Sequence, residues 1–181
     1  MLYKNKIAKF IYVFSDMIIV PVVRFFQKIL KRPLVSITRL FRHIFWTACL
    51  GGLGEDSMLS SHIVIHQPEN VHIGCRSSLA EFVHIWGGGG VFIGDDVLIA
   101  SHVVITSQTH DVYTNDLFRN THLKRPVHIE NNVWIGAGAI ILPGVHISNG
   151  SIVGAGSIVN RDVPPHVCVA GVPAREIRKL V

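Results

Sequence analysis

The sequence is poor in charged residues and in cysteine, and each shortage excludes a class of protein. Asp, Glu, Lys and Arg make up 16% of the 181 residues, whereas 49% are hydrophobic, and this balance excludes an intrinsically disordered chain. The three cysteines, Cys49, Cys75 and Cys168, form no C-x-x-C pair and have no zinc-ligand spacing. Such a sparse, odd-numbered set is a poor disulfide framework, so we expect a reducing, cytoplasmic environment.

A long uninterrupted apolar run is also missing. The most apolar stretch, residues 7–23, is broken by Lys9, Asp16 and Pro21, whereas a membrane span needs about 20 mainly apolar residues. No small-residue cleavage site closes this stretch, so the sequence predicts neither a span nor a secretory signal. The chain length predicts one domain with an appendage.

Acidic residues are nearly absent from the first 50 residues. This segment has nine Lys or Arg against one acid, Asp16, whereas the remainder has eight basic and eleven acidic residues. Cations mixed with aromatic and aliphatic residues are typical of helices that lie on anionic membranes. We therefore predict a helical arm over residues 1–50, with residues 1–45 at the inner membrane face. Packing of the arm on a partner or on its own oligomer is the alternative, and nucleic acid is a poorer interpretation because no binding motif accompanies the charge.

The sequence does contain a six-residue repeat. An aliphatic residue recurs at intervals of six or multiples of six, and the fourth residue after it is small or β-branched. The recurring residues are Ile93, Ile99, Ile105, Ile129, Ile135, Ile141, Ile147, Val153 and Val159. A period of six fits short strands joined by repeated corners, and it fits neither a helix nor one long strand. Residues 51–165 are thus predicted to form an all-β solenoid with a continuous apolar interior, in which Gly87–Gly90 adds residues at a corner.

The units IGDDVL, IGAGAI and VGAGSI resemble the hexapeptide repeat of the left-handed β-helix acyltransferases. Residues 132–180 are similar to the maltose, galactoside and Nod-factor acetyltransferase group and its polysaccharide O-acetyltransferase relatives. The resemblance implies a left-handed parallel β-helix and a homotrimer with its sites between subunits. It also implies acetyl-CoA as the acyl donor and O-acetylation of a sugar hydroxyl in a cell-surface polysaccharide or its precursor.

A polar excursion, residues 106–126, interrupts the repeat, which resumes in phase after it. A loop this long within a compact fold is typical of a functional segment. By the resemblance, His110 occupies the position of the catalytic histidine and the amide of Ala137 that of the oxyanion donor. A histidine, with a pKa of about 6.5, suits removal of a proton from an attacking alcohol. Asp111 and Glu81 are the candidate carboxylates to orient the imidazole, although an acid in either position is more often an ordinary solvated one.

The resemblance also implies a coenzyme site and leaves the acceptor site less defined. Small residues would let the pantetheine arm approach the backbone, and arginines would bind phosphate oxygens. The candidate donor-site residues are Trp134, Ala137, Ala155, Asn160, Arg161, Arg175 and Arg178, and the candidate acceptor-site residues are His84, Trp86 and Asp111. The alternative for Ala137 and Ala155 is that the coil corners themselves require small side chains.

Residues 166–181 are predicted to end the solenoid as a cap containing a short helix, because two prolines, Pro164 and Pro165, cannot continue a ladder strand. No metal site is expected. A zinc carbonic anhydrase on the same fold would need two histidines five residues apart, and the sequence contains no such pair. The remaining alternatives are an N-acetyltransferase acting on an amino sugar and a non-enzymatic β-solenoid that binds or scaffolds.

Overall fold

The computed structural model describes Val22 and residues 33–180. The chain divides into two units, residues 1–49 and residues 50–181. The predicted helical arm falls in the first unit, where the helix α1 spans Pro33–Cys49; the other residues of the arm lie outside the described residues, apart from Val22. No helix among the described residues has the length and apolarity needed to cross a membrane.

Helix α1 begins at a proline and ends just before two glycines, Gly51 and Gly52. Proline is tolerated at a first helical position, where its missing N–H would have no partner, and glycine favours helix termination. Leu40 and Ile44, one helical turn apart, and the neighbouring Phe41 are all more than half exposed. The helix therefore presents an apolar row to its surroundings.

The second unit is a parallel β-solenoid, as the six-residue period predicts, and it matches the left-handed β-helix that the resemblance implies. Its strands are numbered along the chain, three to a coil in the first five coils. Coil 1 contains β1 (Gly52–Leu53), β2 (Met58–Leu59) and β3 (Val64–His66); coil 2 contains β4 (Val71–Ile73), β5 (Ser78–Leu79) and β6 (His84–Trp86); coil 3 contains β7 (Val91–Ile93), β8 (Leu98–Ile99) and β9 (Val104–Thr106). The excursion contains β10 (Gln108–Thr109) and β11 (Leu123–Lys124). Coil 4 contains β12 (Val127–Ile129), β13 (Trp134–Ile135) and β14 (Ile140–Ile141); coil 5 contains β15 (His146–Ile147), β16 (Ile152–Val153) and β17 (Ile158–Val159); the incomplete coil 6 contains β18 (Val167–Ala170) and β19 (Arg175–Lys179).

Corresponding strands of successive coils form the three sides of a prism. Sheet 1 has the order β1-β4-β7-β12-β15, sheet 2 continues from β2 to β18 and β19, and sheet 3 has the order β17-β14-β9-β6-β3. We call the turn from sheet 1 to sheet 2 the first corner (residues 94–97 in coil 3) and the turn from sheet 2 to sheet 3 the second corner (residues 100–103). The third corner leads from sheet 3 to the next coil, as at residues 87–90.

The recurring aliphatic residues form the interior, as predicted. All nine, from Ile93 to Val159, are at most 4% exposed. The small or β-branched residues four positions later are equally buried: Val97, Val103, Val133, Ala139, Val145, Ser151 and Ser157. Like residues stack on like, since Ile99 pairs with Ile135 and Ile105 with Ile141. Burial of this column removes apolar surface from water along the full length of the prism.

One residue of nearly every corner has a left-handed backbone, three positions after the inward aliphatic residue. Their φ angles lie between +54° and +86°, and the residues are Asp56, His62, Arg76, Phe82, Asp96, His102, Asn132, Gly138, Gly144, Gly150, Gly156 and His166. Only glycine adopts this region without steric cost. At their first and second corners, the first three coils therefore turn without the residue that most favours the turn.

All three insertions into the repeat are at the third corner. Ile73 pairs with Ile93, 20 residues on, whereas Ile129 pairs with Ile147, 18 residues on. The extra residues lie at 67–70 and at Gly87–Gly90, and the excursion leaves the same corner between β9 and β12. Because β9 pairs with β14 in register, the solenoid is continuous beneath the loop, as predicted.

The predicted C-terminal helix is wrong. Residues Arg175–Lys179 form β19, which pairs antiparallel with β18. Strand β18 ends sheet 2 and would otherwise present a row of unpaired N–H and C=O groups. Pairing with this open edge satisfies those groups, whereas a helix of five residues is too short to be stable by itself.

Candidate active site

The base of the excursion is held by a buried serine. The hydroxyl of Ser107 donates to the carbonyl of Trp86 (2.7 Å) and accepts from the N–H of Gly89 (2.9 Å). The carbonyl of Ser107 accepts from the N–H of Arg125 at 2.9 Å. Strands β10 and β11 then pair antiparallel, with Gln108 opposite Lys124. The two ends of the loop are therefore fixed to each other and to the glycine corner beneath them.

The glycines at this corner permit the close approach. A Cβ atom on Gly89 would collide with the backbone carbonyl oxygen of Ser107, and one on Gly87 would lie 2.7 Å from the carbonyl oxygen of Gln67. Gly90 has a φ of +94°, which disfavours other residues. The glycine run thus brings the hairpin base against the solenoid.

His110 follows β10 directly, and its side chain is exposed. Its Nδ1 lies 2.6 Å from the carbonyl oxygen of Thr121. A carbonyl only accepts hydrogen bonds, so Nδ1 carries the proton and, in the neutral ring, Nε2 has a free lone pair. The hydroxyl of Thr121 in turn accepts from the N–H of Asp111 (3.1 Å) and donates to the carbonyl of Phe118 (2.9 Å). The loop therefore fixes the tautomer expected of a general base.

Neither candidate carboxylate makes this contact with His110. The carboxylate of Asp111 accepts instead from the N–H of Tyr113 at 2.9 Å, within the loop. Glu81 belongs to the second corner, and its side chain is exposed. The orienting group is a main-chain carbonyl, which sequence patterns do not identify.

His84 and Trp86 lie on the outer side of sheet 3, where β6 leads to the glycine corner. They form a cluster with His66, whose ring stacks on Trp86 at 4.0 Å and lies 5.1 Å from that of His84. Nε2 of His84 is buried and has no hydrogen-bond partner among the described residues. Loss of solvent, followed by the like charge of His66, lowers the pKa of His84. The neutral form of the His84 imidazole is therefore favoured at this position.

Ala137 and Ala155 occupy the second corner in coils 4 and 5, and both are exposed. Within residues 33–180 their N–H groups donate no hydrogen bond, whereas the next residues do: Gly138 donates to Ser101 and Gly156 to Ala137. A Cβ atom added at Gly138 or Gly156 would meet nothing within 4 Å. The corner thus presents two free amide donors, one coil apart, beside open space.

The candidate cations fall into two groups. In the β18–β19 ladder, Arg175 pairs with Ala170, and Arg178 pairs with Cys168. Arg175 thus lies level with the start of the second corner but two strands beyond β16, because β18 stands between β16 and β19. Asn160 and Arg161 instead follow β17, at the third corner. All four side chains are exposed.

Trp134 points outward from sheet 2 and is 52% exposed. It lies between Leu98 and Ile152 in register, two residues before the corner at Gly136. Together the candidate residues form two sets in one chain: Trp134, Ala137, Ala155, Arg175 and Arg178 on sheet 2 and the second corner, and His84, Trp86, His110, Asp111, Asn160 and Arg161 on sheet 3 and the third corner. No hydrogen bond or ring contact among the described residues joins His110 to the first set.

Two columns of rings were not foreseen from the sequence. On sheet 1, the rings of His72, Phe92 and His128 stack with centroid distances of 5.2 and 4.9 Å, and His146 continues the column with its ring tilted, 5.9 Å from that of His128. These four side chains line a groove of about 580 Å³. None of the candidate site residues lines this groove, and within the described residues no cluster of three or more His, Cys, Asp or Glu could hold a metal ion. At the second corner, His62, Phe82 and His102 stack at 5.2 and 4.9 Å. Both columns can be found by comparing equivalent positions between coils. The residue just before the inward residue gives the sheet 1 column, and the residue three positions after the inward residue gives the second-corner column.

Comparison with known proteins finds a matching family and similar relatives. The family described as bacterial transferase hexapeptide (six repeats) matches residues 126–161. Galactoside O-acetyltransferase of Escherichia coli K12 is 42% identical over 130 residues, which are 71% of this chain and 63% of that protein, so the chain spans less than two thirds of this relative. Nodulation protein L of Rhizobium meliloti 1021 is 43% identical over 133 residues, 74% of this chain and 73% of that protein.

A solved structure extends the likeness to the fold. The hexapeptide-repeat acetyltransferase VCA0836 of Vibrio cholerae O1 biovar eltor, in complex with acetyl coenzyme A, superposes with a TM-score of 0.76 at 31% identity. The match covers 78% of each chain.

Proposed function

Because the chain belongs to the hexapeptide-repeat acetyltransferase family, we propose that it transfers an acetyl group from acetyl coenzyme A to a sugar hydroxyl. The acceptor is a cell-surface polysaccharide or its precursor. The observation that carries this proposal is the bond from Nδ1 of His110 to the carbonyl of Thr121. The galactoside-acetylating relative supports a sugar acceptor.

His110 acts as the general base. Its Nε2 takes the proton of the acceptor hydroxyl as the oxygen attacks the thioester carbonyl carbon. The tetrahedral intermediate then collapses, the carbon–sulfur bond breaks, and the coenzyme thiolate leaves and takes the proton back from the imidazolium. The Thr121 carbonyl stabilises the imidazolium by accepting from Nδ1 throughout, and no acyl-enzyme is required.

The second corner provides the donor site. The free N–H of Ala137 donates to the developing oxyanion, because a fixed amide dipole stabilises charge there without reorganisation. The free N–H of Ala155 and the bare corners at Gly138 and Gly156 fit the amide-containing pantetheine arm. Arg175 and Arg178 bind the phosphates.

The active site is shared between two subunits of a trimer. Supporting this, His110 and the free amides lie on different corners of one prism. The excursion also presents apolar side chains that one chain leaves uncovered: Val112, Tyr113, Leu117 and Phe118 are each at least 58% exposed. Contact with a neighbouring subunit would bury them and bring one subunit's His110 to the other's second corner.

The experiment compares His110→Ala with His122→Ala. The two rings lie 5.3 Å apart on the same loop, so the second variant is a control for general disturbance. Acetyl transfer is measured against a panel of sugars, amino sugars and lipid-linked glycans. His110→Ala should lower the transfer rate by about a hundred- to ten-thousandfold and leave the coenzyme A thermal shift intact, whereas His122→Ala should retain most activity.

Full transfer by His110→Ala would refute the general base. Transfer to amino sugars alone would replace the O-acceptor by an N-acceptor. If the wild-type protein gains no thermal stability from coenzyme A, it is a binding or scaffold solenoid, because a ligand of the folded state must stabilise it.

We also propose that the protein works in the cytoplasm, at the inner membrane face, through residues 1–45. The supporting features are the nine cations of the first 50 residues and the exposed row of Leu40, Phe41 and Ile44 on α1. Sedimentation with anionic and with neutral vesicles tests this. The wild type should bind anionic vesicles, and Leu40→Glu/Ile44→Glu should lose most of that binding; equal binding of both proteins would exclude α1 as the contact.

A further inference from the structure

The second corner changes character along the prism. In coils 1 to 3 its left-handed positions hold His62, Phe82 and His102, whose rings form one column. In coils 4 and 5 the same positions hold Gly138 and Gly156. Coil 6 adds a cation, Arg175, at the same level. The corner therefore runs from stacked rings, through bare backbone, to positive charge.

The ring column stops abruptly at His102. One face of this imidazole stacks on Phe82 with a centroid distance of 4.9 Å and an interplanar angle of 8°. The residue one coil further on is Gly138, since Ile99 pairs with Ile135 and both corner residues follow by three positions. A Cβ atom at Gly138 would meet nothing within 4 Å, so open space adjoins the other face of His102.

The order of rings, bare backbone and positive charge along the second corner determines in which direction a bound acyl donor lies. The phosphates belong at the Arg175 end, the amide of Ala155 follows in coil 5, and the amide of Ala137 lies one coil nearer to His102. The thioester end of the donor is then the end that approaches the imidazole. This step depends on the proposed function.

We propose that His102 closes the acyl end of the donor groove and so restricts the enzyme to short acyl groups. The next ring, Phe82, lies one coil behind it, and coils are separated by about 4.8 Å. An acetyl group fits in front of the imidazole, whereas a longer chain needs the space that the imidazole fills. Neither His62 nor Phe82 borders the bare corner, so the restriction belongs to His102 alone.

The variant His102→Gly extends the bare corner by one coil. Glycine is the residue found at Gly138 and Gly156, and it accepts the φ of +62° at position 102. The main-chain bond from residue 102 to the carbonyl of Glu81 does not involve the side chain. His62→Gly is the matched control: His62 has the same backbone conformation and also stacks on Phe82, but it lies at the far end of the column. His102→Asn, which tolerates left-handed backbone, tests a smaller side chain.

The experiment measures kcat/KM for acetyl-, propionyl-, butyryl- and hexanoyl-CoA with one acceptor, and coenzyme A binding by thermal shift. The wild type should discriminate against each added methylene by about tenfold or more. His102→Gly should raise the butyryl-to-acetyl ratio of kcat/KM by about tenfold or more, on the same scale of methylene discrimination. His102→Asn should give an intermediate ratio, and His62→Gly the wild-type ratio.

A uniform loss of kcat/KM for all four donors in His102→Gly would show that the imidazole only supports the corner, and would overturn the inference. An unchanged donor profile, or the same shift in His62→Gly, would also overturn it. These results leave the proposed function intact. Absence of both turnover and a coenzyme A thermal shift in the wild type would instead remove the proposed function, and this inference with it.

Discussion

Coils 1 to 3 and coils 4 and 5 share one interior but differ at their corners. At the first and second corners of residues 52–106 the left-handed positions hold Asp, His, Arg and Phe, whereas from Gly138 to Gly156 each left-handed position holds glycine. The inward residues are buried to the same degree in both regions. The comparison teaches that the inward aliphatic column sets the path of the backbone. At the first and second corners glycine is not required for the turn, and in coils 4 and 5 it leaves the second corner bare of side chains.

The substitutions with the largest expected effect test whether the two regions share one interior. Ile85, in coil 2, and Ile141, in coil 4, are both fully buried. Replacing either with alanine should lower the free energy of unfolding by about 2–5 kcal/mol, through lost burial and the cavity left behind. Urea denaturation of both variants beside the wild type measures this. A loss below about 1 kcal/mol in only one of them would show that the two regions do not share one cooperative core.

The base of the excursion, which separates the two regions, should give the next largest effect. Gly89→Ala places a Cβ atom against the backbone carbonyl of Ser107, whereas Gly88→Ala meets only the flexible end of Gln108. We expect Gly89→Ala to destabilise by about 1–3 kcal/mol, as overpacking does, and Gly88→Ala to cost clearly less. Urea denaturation measures the loss in free energy of unfolding of each variant.

Amide exchange localises the effect. In Gly89→Ala, the Arg125 N–H that bonds to Ser107 should exchange faster than in the wild type, because the hairpin base is displaced. Equal protection of this amide in the two glycine variants would contradict the assignment of close packing to Gly89.

A smaller effect tests the corner glycines themselves. Gly156 has a φ of +67°, and an added Cβ there meets no atom within 4 Å. Gly156→Ala should therefore cost about 1 kcal/mol from backbone conformation alone, and Gly156→Asn less, because asparagine tolerates this region. Thermal unfolding without ligand measures both. Equal stability of Gly156→Ala and the wild type would show that the glycine corners are no better suited to the turn than Phe82 or His102.

The smallest expected effect is electrostatic and concerns an ionic contact between coils 4 and 5. The carboxylate of Glu130 accepts from the N–H of Asn149 and lies 2.7 Å from Nε2 of His146, and these contacts, in that order, lower the pKa of Glu130. A carboxyl with a lowered folded pKa stabilises the fold above its unfolded value of about 4.3 and loses this as pH falls through the folded value. Glu130→Gln should thus be slightly less stable than the wild type at pH 6.

The gap between the two proteins should close as the pH is lowered below about 4. Unfolding curves over this range measure it. A gap that persists unchanged at acidic pH would mean that the glutamine disturbs packing and that the charge of Glu130 contributes nothing.

The predictable features of this fold are those that repeat along the chain. Inward residues such as Ile99 and Ile135 recur at fixed spacing, so the interior, the sheets and the resumption after the loop follow from the sequence. Strand β19 does not repeat, and its pairing depends on an open edge that no local pattern reveals. The ring columns depend on which outward residues align between coils, and the Thr121 carbonyl reaches His110 only through the path of the loop main chain. The sequence thus predicts where each candidate site residue lies along the repeat, but it does not predict how the side chains of these residues are oriented.

The third corner is the edge of the solenoid that accepts inserted residues. Three insertions leave from this one edge, and one of them carries His110, yet strands β3, β6, β9 and β14 remain in register. Lengthening a flexible loop whose ends are already joined costs little, about 0.6 kcal/mol for each doubling. Foreign segments grafted at residues 67–70 should therefore be carried without disturbing the prism, and new specificities can arise at this edge while the rest of the molecule stays unchanged.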